Sequence, residues 1–348
     1  MMNNLTTNNT IAYIMAGRRQ RSRRYWGVTT VLAVISLLLC FLMLYFGNTI
    51  YSIDKIARVL GGEQIKGATF AIHTIRLPRM LAGLFAGFAF GVAGHIFQTM
   101  LRNPLANPNV LGITTGSSAA AVYCIVILHT SEAVVSVVSV AAGLVTVTLL
   151  YLLSRRRAFS IGRLILVGIG LDAMLSSVIT YLLQKSASQD VPAAFRWLSG
   201  SLNGSKLEEL PPLVITVLVL APIILLLGKH LSLLELGEQS ASSLGIHTDR
   251  TRIALILCSV CMIAMATATT GPIAFVSFLA GPIARRLVGV GHTNIIPAGL
   301  VGVILVLAAD LIGQFAFETR FPVGVITGIL GAPYLIFLLI RMNRKGDF

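Results

Sequence analysis

Few residues in this chain have the types and spacing of a reactive site. Cys258 and Cys261 have the C-x-x-C spacing used in redox exchange and metal binding. They lie, however, in the apolar run IALILCSVCMIAMA with no His or acidic partner, and read as small packing residues of a helix. Cys40 and Cys124 also sit in apolar runs, so no disulfide framework is expected. His73, His129, His230, His247 and His292 show no metal-ligand spacing. No G-x-x-x-x-G-K-[ST] phosphate loop and no nucleophile–base constellation occurs. The chemistry-bearing residues are instead polar groups set in apolar sequence: Arg76 and Arg79 on either side of Pro78, His95, Gln98, Asp172 beside Gly168 and Gly170, and Asp310. In a membrane such groups serve substrate pathways or helix–helix hydrogen bonds. Nothing in the sequence pairs Asp172 with Asp310, so a proton relay is not expected.

The elements that must position these groups are membrane helices. Of 348 residues, 55% are hydrophobic and 11% charged, against about 25% charge in soluble domains. This composition excludes a disordered chain, a collagen-like chain and a soluble enzyme. Apolar runs predict ten spans near 26–46, 78–101, 109–128, 132–153, 161–184, 209–228, 251–270, 272–289, 295–316 and 323–341. Residues 1–25 read as a basic tail, its first 17 disordered, 26–341 as one transmembrane domain, and 342–348 as a short tail. Span two carries Gly83, Gly87, Gly91 and Gly94 on one face, spacing that suits close helix contact.

The net charge of +14 would suggest nucleic acid in a soluble protein. In the ten-span scheme only nine of the 27 basic residues, Lys55, Arg58, Lys66, Arg76, Arg79, Lys185, Arg196, Lys206 and Arg320, fall on the side opposite the termini. The remainder, including Arg18, Arg19, Arg21, Arg23 and Arg24, share the termini's side. That bias places both termini in the cytoplasm and removes nucleic acid as a partner.

Several segments resemble the FecCD-type permease subunits of type II ABC importers for ferric siderophores, haem and cobalamin. They are Arg76–Arg79 (RLPR), Gln98, Arg102–Ala106 (RNPLA) and Pro108–Gly116. Further along come Trp197–Leu202 (WLSGSL), Leu236-Gly237-Glu238 with Ala241, Leu244 and Gly245, Gly271–Val276 (GPIAFV), Ala309-Asp310, Pro322–Gly324 and Gly331–Pro333. The resemblance covers roughly residues 26–341. Two departures stand out: the His of a Pro-His pair that many members carry near Pro282 is absent, and Gln314 stands where some members have Arg.

The resemblance implies an all-α, ten-span permease with no enzymatic activity of its own. It also implies a second identical or homologous permease, two ATP-binding subunits that use the ATP, an extracytoplasmic substrate-binding protein, and residence in the bacterial cytoplasmic membrane. The implied cargo is a ferric siderophore, with haem or cobalamin as alternatives, and no cofactor bound directly to this chain. An ion-gradient-driven secondary transporter is the competing class. Residues Leu234, Glu235, Leu236, Gly237, Glu238, Ala241, Leu244 and Gly245 are implied to form the ATPase-coupling loop, with Gly237 and Gly245 bracketing one or two helical turns. Arg76, Arg79 and Arg320 are expected to face outward and meet acidic residues of the binding protein. Gln98, Asn103, Asn107, Asp172 and Pro272 are the candidate lining of the translocation pathway.

Overall fold

The computed structural model describes residues 2–104, 106–154, 161–235, 237–289 and 291–345. Leu236 of the expected coupling loop, Leu105, and Arg155 to Arg157 lie outside them. Every regular element among the described residues is helical. The chain runs through α1 (Met2–Tyr45), α2 (Ile53–Leu60), α3 (Leu77–Met100), α4 (Ile113–Val126), α5 (Glu132–Ser154), α6 (Ile161–Lys185) and α7 (Val191–Leu198). It continues through α8 (Pro211–Leu234), α9 (Glu238–Ser243), α10 (Thr248–Thr270), α11 (Val276–Val288), α12 (Ile295–Phe315) and α13 (Val323–Lys345). A π-helical stretch, Phe70–Arg76, leads into α3, and a 3-10 turn, Pro108–Leu111, leads into α4.

Seven helical stretches are long and apolar enough to cross a bilayer: Tyr13–Tyr45, Phe70–Met100, Glu132–Ser154, Gly162–Lys185, Pro211–Leu234, Thr248–Thr270 and Ile295–Phe315. Two shorter apolar helices, Ile113–Val126 and Val323–Phe337, accompany them. The chain is therefore a multi-pass membrane protein. The expected spans 109–128 and 272–289 are each shortened by a break at their start. Gly112 has φ 77° before α4, and Gly271 (φ 70°) and Phe275 (φ 63°) hold a turn before the 13-residue α11. At 1.5 Å per residue α11 is about 20 Å long, short of a ~30 Å hydrocarbon core. Irregular backbone at such depth survives only where protein surrounds it, and Gly271, Ile273 and Val276 are buried. The described helix α1 starts at Met2, ahead of the span expected at 26–46. A span already helical nucleates the residues before it, so extension needs only propagation.

The bundle is built around α3, the most deeply buried of the long helices. One face of α3 lies backbone to backbone against α12. A Cβ at Gly87 would sit 2.8 Å from the Gly302 carbonyl oxygen, and one at Gly91 would overlap that of Ala298. One turn on, a Cβ at Gly94 would overlap the Ser277 carbonyl of α11. The glycine row read from the sequence thus marks where two helices meet the central one. Apolar side chains fill the rest of this core, with Phe90, Ile96, Phe97, Leu255, Met262 and Val303 all fully buried.

Gly94→Ala should destabilise the fold by about 1–3 kcal/mol or more through overpacking against α11. Gly170→Ala on α6, where nothing lies within 4 Å, should be neutral or gain up to about 1 kcal/mol of helix propensity. Thermal unfolding in detergent separates the two, and equal effects would contradict the close-approach reading of Gly94.

Candidate functional site

Two clusters of the sequence-marked residues form, one at each end of the bundle. At the first, α3 ends in a motif that normally takes glycine. The Asn103 N–H donates to the Gln98 carbonyl at 3.0 Å and the Arg102 N–H to that of Thr99 at 3.2 Å, with Arg102 in the left-handed region at φ 49°. This is a Schellman end, and a non-glycine residue there costs about 1–2 kcal/mol. The Arg102 guanidinium reaches across to α8, where Nη2 donates to the Leu234 carbonyl at 2.9 Å. A Cβ on Gly237, whose φ is 117°, would meet it at 3.6 Å.

Gly237 opens the six-residue α9, and Gly245 (φ 82°) follows it. The helical turns that the two glycines were expected to bracket are therefore present. Ala241 is buried in this segment and Leu244 is exposed. Glu235, just after α8, faces Arg285 of α11 at 3.8 Å. Between these elements lies a cavity of about 440 Å³ lined by His95, Gln98, Arg102, Asn103, Glu235 and Arg285, among others. Pro282, beside the departure from the Pro-His pattern, lies within α11 on the cavity wall.

The five candidate pathway residues do not converge. Gln98 and Asn103 border this cavity, although the Gln98 amide donates inward to the Phe278 carbonyl at 2.9 Å. Asn107 caps the 3-10 turn by accepting from the Asn109 N–H and also accepts from the Ser277 hydroxyl, both at 3.0 Å. Asp172, half-buried on α6, accepts from the Thr115 hydroxyl of α4. Pro272 belongs to the opposite end.

At that end three motifs meet through their backbones. A Cβ at Gly200 would sit 2.5 Å from the Pro272 carbonyl oxygen, and one at Gly271 would overlap the Trp197 carbonyl. The Gly324 N–H donates to the Gly200 carbonyl at 3.1 Å, and the Ser201 N–H to that of Thr270 at 2.7 Å. The WLSGSL, GPIAFV and P-x-G segments, distant in sequence, are thus one structural joint.

The expectation that Arg76 and Arg79 face water is corrected: they are 7% and 8% exposed. Arg76 donates to the Leu44 carbonyl at 2.8 Å, to the Tyr45 carbonyl at 3.0 Å and to that of Thr49, and stacks on Tyr51 at 5.3 Å. The end of α1 offers carbonyls without helical partners, and Arg76 satisfies them. Arg79 forms a two-pronged ion pair with Asp310 on α12, Nε to Oδ2 at 2.8 Å and Nη2 to Oδ1 at 2.7 Å. Asp310 is 1% exposed and also accepts from Gln314 at 2.6 Å, while Arg79 donates to Asn203. Asp310 therefore has a charged partner that the sequence did not disclose, 231 positions away. Of the three expected docking arginines only Arg320 is exposed, donating to Asn48 at 2.6 Å. Nearby, a second cavity of about 390 Å³ is lined by Glu132, Arg196, Trp197, Asn203 and Glu209. Lys206 donates to Glu132 at 2.7 Å, which with nearby Glu209 raises the Lys206 pKa.

Sequence reasoning missed α2, α7 and Arg285. The signal for α2 was present: Ser52, then Ile53, Ile56, Val59 and Leu60 at helical spacing, stopped by Gly61-Gly62. Pro192 early in α7 was a second such signal. Arg285 reads simply as one of two basic residues near a helix end.

A bundle of broken apolar helices, with a short helix set between two glycines at one end and no strand among the described residues, defines a polytopic helical membrane protein. Residues 32–341 match the FecCD transport family, and the chain belongs to it. The chain is 38% identical over 296 residues to the ferric enterobactin transport system permease protein FepG of Escherichia coli K12, covering 84% of this chain and 89% of the relative. It is 36% identical over 318 residues to the Fe(3+)-citrate import system permease protein YfmE of Bacillus subtilis 168, covering 90% and 95%. Among solved structures, one described as an inward-facing conformation of a metal-chelate type ABC transporter superposes with a TM-score of 0.81 at 27% identity, covering 90% of this chain and 99% of that one.

Arg79→Met should destabilise the fold by about 3–5 kcal/mol, since it strands the buried Asp310 carboxylate. The double variant Arg79→Met with Asp310→Leu should recover most of that loss. Denaturant unfolding of both variants checks this, and a single variant as stable as wild type would show the pair to be dispensable.

Proposed function

We propose that this chain is one permease subunit of an ATP-driven importer whose cargo is a ferric siderophore. The carrying observation is the α8–α9 junction, a helix end clamped by Arg102 and followed by a short helix between two glycines. Such an element suits docking of an ATP-hydrolysing partner, because residues such as Gln239, Ser243 and Leu244 are exposed while the segment is tied to α3. The cargo assignment draws on the relatives, whose names specify ferric enterobactin and ferric citrate. Haem or cobalamin is the alternative cargo.

In this reading the seven long helices, the two shorter apolar ones and α11 make ten crossings, with both termini in the cytoplasm of a bacterium. A second permease, identical or homologous, covers exposed apolar surface such as Leu166, Met174 and Tyr181 of α6. Two ATP-binding subunits engage Leu234 to Gly245, and an extracytoplasmic binding protein engages the end bearing Arg320. Transport then follows from shifting the bundle between two packings. Ion-gradient-driven secondary transport is less well supported, because Asp310 is neutralised by Arg79 and Asp172 has only a hydroxyl partner described for it.

Reconstituted with ATPase and binding-protein partners, the chain should take up a ferric siderophore only when ATP is supplied. Uptake driven by an ion gradient without the ATPase would overturn the reading. Gly237→Arg places a side chain at a positive φ beside Arg102. It should cut uptake at least tenfold with the protein still inserted, and wild-type ATPase stimulation in that variant would remove the coupling assignment. Arg320→Glu should weaken binding-protein docking more at low salt than at high salt, and unchanged docking would take Arg320 out of that interface.

A further inference from the structure

This inference rests on the reading of the Gly237–Gly245 segment as the ATPase-coupling element. We propose that Arg102 and Arg285 are positioning residues that connect this segment to the transmembrane core, Arg102 as a fixed arm to α3 and Arg285 as a releasable arm to α11.

The first observation is Arg102 itself. It occupies the left-handed position of a Schellman end, where glycine is favoured. Strained backbone of this kind persists where the surroundings over-determine it, and it concentrates at working sites. What the side chain gains is the hydrogen bond to the Leu234 carbonyl at 2.9 Å, on the last residue of α8, in a place where a Cβ on Gly237 would meet it at 3.6 Å. A glycine would relax the backbone and lose that link. The arm is short and aimed at a backbone group, so displacement of α9 is passed directly to the end of the central helix and to Asn103 after it.

The second observation is the pair Arg285–Glu235. At 3.8 Å, with side chains 58% and 38% exposed, it is cheap to break and to re-form. It joins α11 to Glu235, just after α8. α11 is the short helix whose start meets α3 at Gly94 and the segment after α3 at Asn107. The third observation is the room between the arms. The cavity of about 440 Å³ is lined by Arg102, Glu235 and Arg285, and His95, 6% exposed, also borders it. Beside the packed Leu234 and Ala241, the two arginine contacts thus border open space, an arrangement that leaves room for a second position.

The test uses the complete transporter, with permease, ATPase and binding protein in proteoliposomes, reading uptake per ATP hydrolysed, ATPase binding and melting temperature for each variant. Arg102→Gly should melt within a few degrees of the wild-type temperature, since relief of the left-handed backbone offsets the lost hydrogen bond, and should bind the ATPase normally, while uptake per ATP falls at least fivefold. Wild-type coupling in Arg102→Gly, or a large fall in melting temperature that accompanies the transport loss, would overturn the fixed arm. Arg285→Glu and Glu235→Arg should each lower uptake per ATP, and the double exchange should restore at least half of it. Absence of loss in the single variants, or of recovery in the double, would overturn the releasable arm. Failure of the wild-type chain to bind any ATPase would instead remove the coupling reading itself, and is distinguished by the binding measurement.

Discussion

A helix that ends inside or beside a membrane leaves carbonyl groups that lipid cannot satisfy. The protein meets this constraint repeatedly with arginine. Arg76 takes the carbonyls of Leu44 and Tyr45 at the end of α1, and Arg102 shares that of Leu234 with the Gly237 N–H at the end of α8. Arg24 takes those of Leu287 and Arg286 near the end of α11. The guanidinium suits this role because it offers several donors in a plane and stays charged. It also complements the negative end of the helix dipole. Each such contact joins elements far apart in sequence, so the caps fasten the bundle as well as finishing its helices.

The same constraint explains why small residues line the contacts of α3. Lipid gives helices no hydrophobic reason to associate, so contact area and close approach must do the work. Gly87, Gly91 and Gly302 let α3 and α12 touch through their backbones, and Gly94 does the same for α11. Around that centre, the breaks at Gly112, Gly271 and Phe275 shorten α4 and α11 and turn their starts into the interior.

The sequence made the long apolar helices legible, because hydrophobic runs carry that signal directly. The glycine row of α3 and the helix between Gly237 and Gly245 were legible as well, one from spacing and the other from paired helix breakers. Arg76 and Arg79 were misread as water-facing. Their partners, the end of α1 and Asp310, are fixed by the packing of α1 and α12 against α3 and leave no local pattern. The left-handed backbone of Arg102 was hidden for another reason, since arginine is the wrong residue type to announce it. The resemblance to the FecCD family supplied the coupling loop, while the ties of that loop to Arg102 and Arg285 came from the geometry.

The joint at the opposite end, where Gly200, Gly271 and Gly324 bring three segments together, is made by close approach of main chain. Side chains can loosen a contact by changing rotamer, and main chain cannot. These three segments therefore have little room to slide past one another. Such a joint behaves as a bearing and not as a spring, and whatever compliance the bundle has must be found elsewhere along its length.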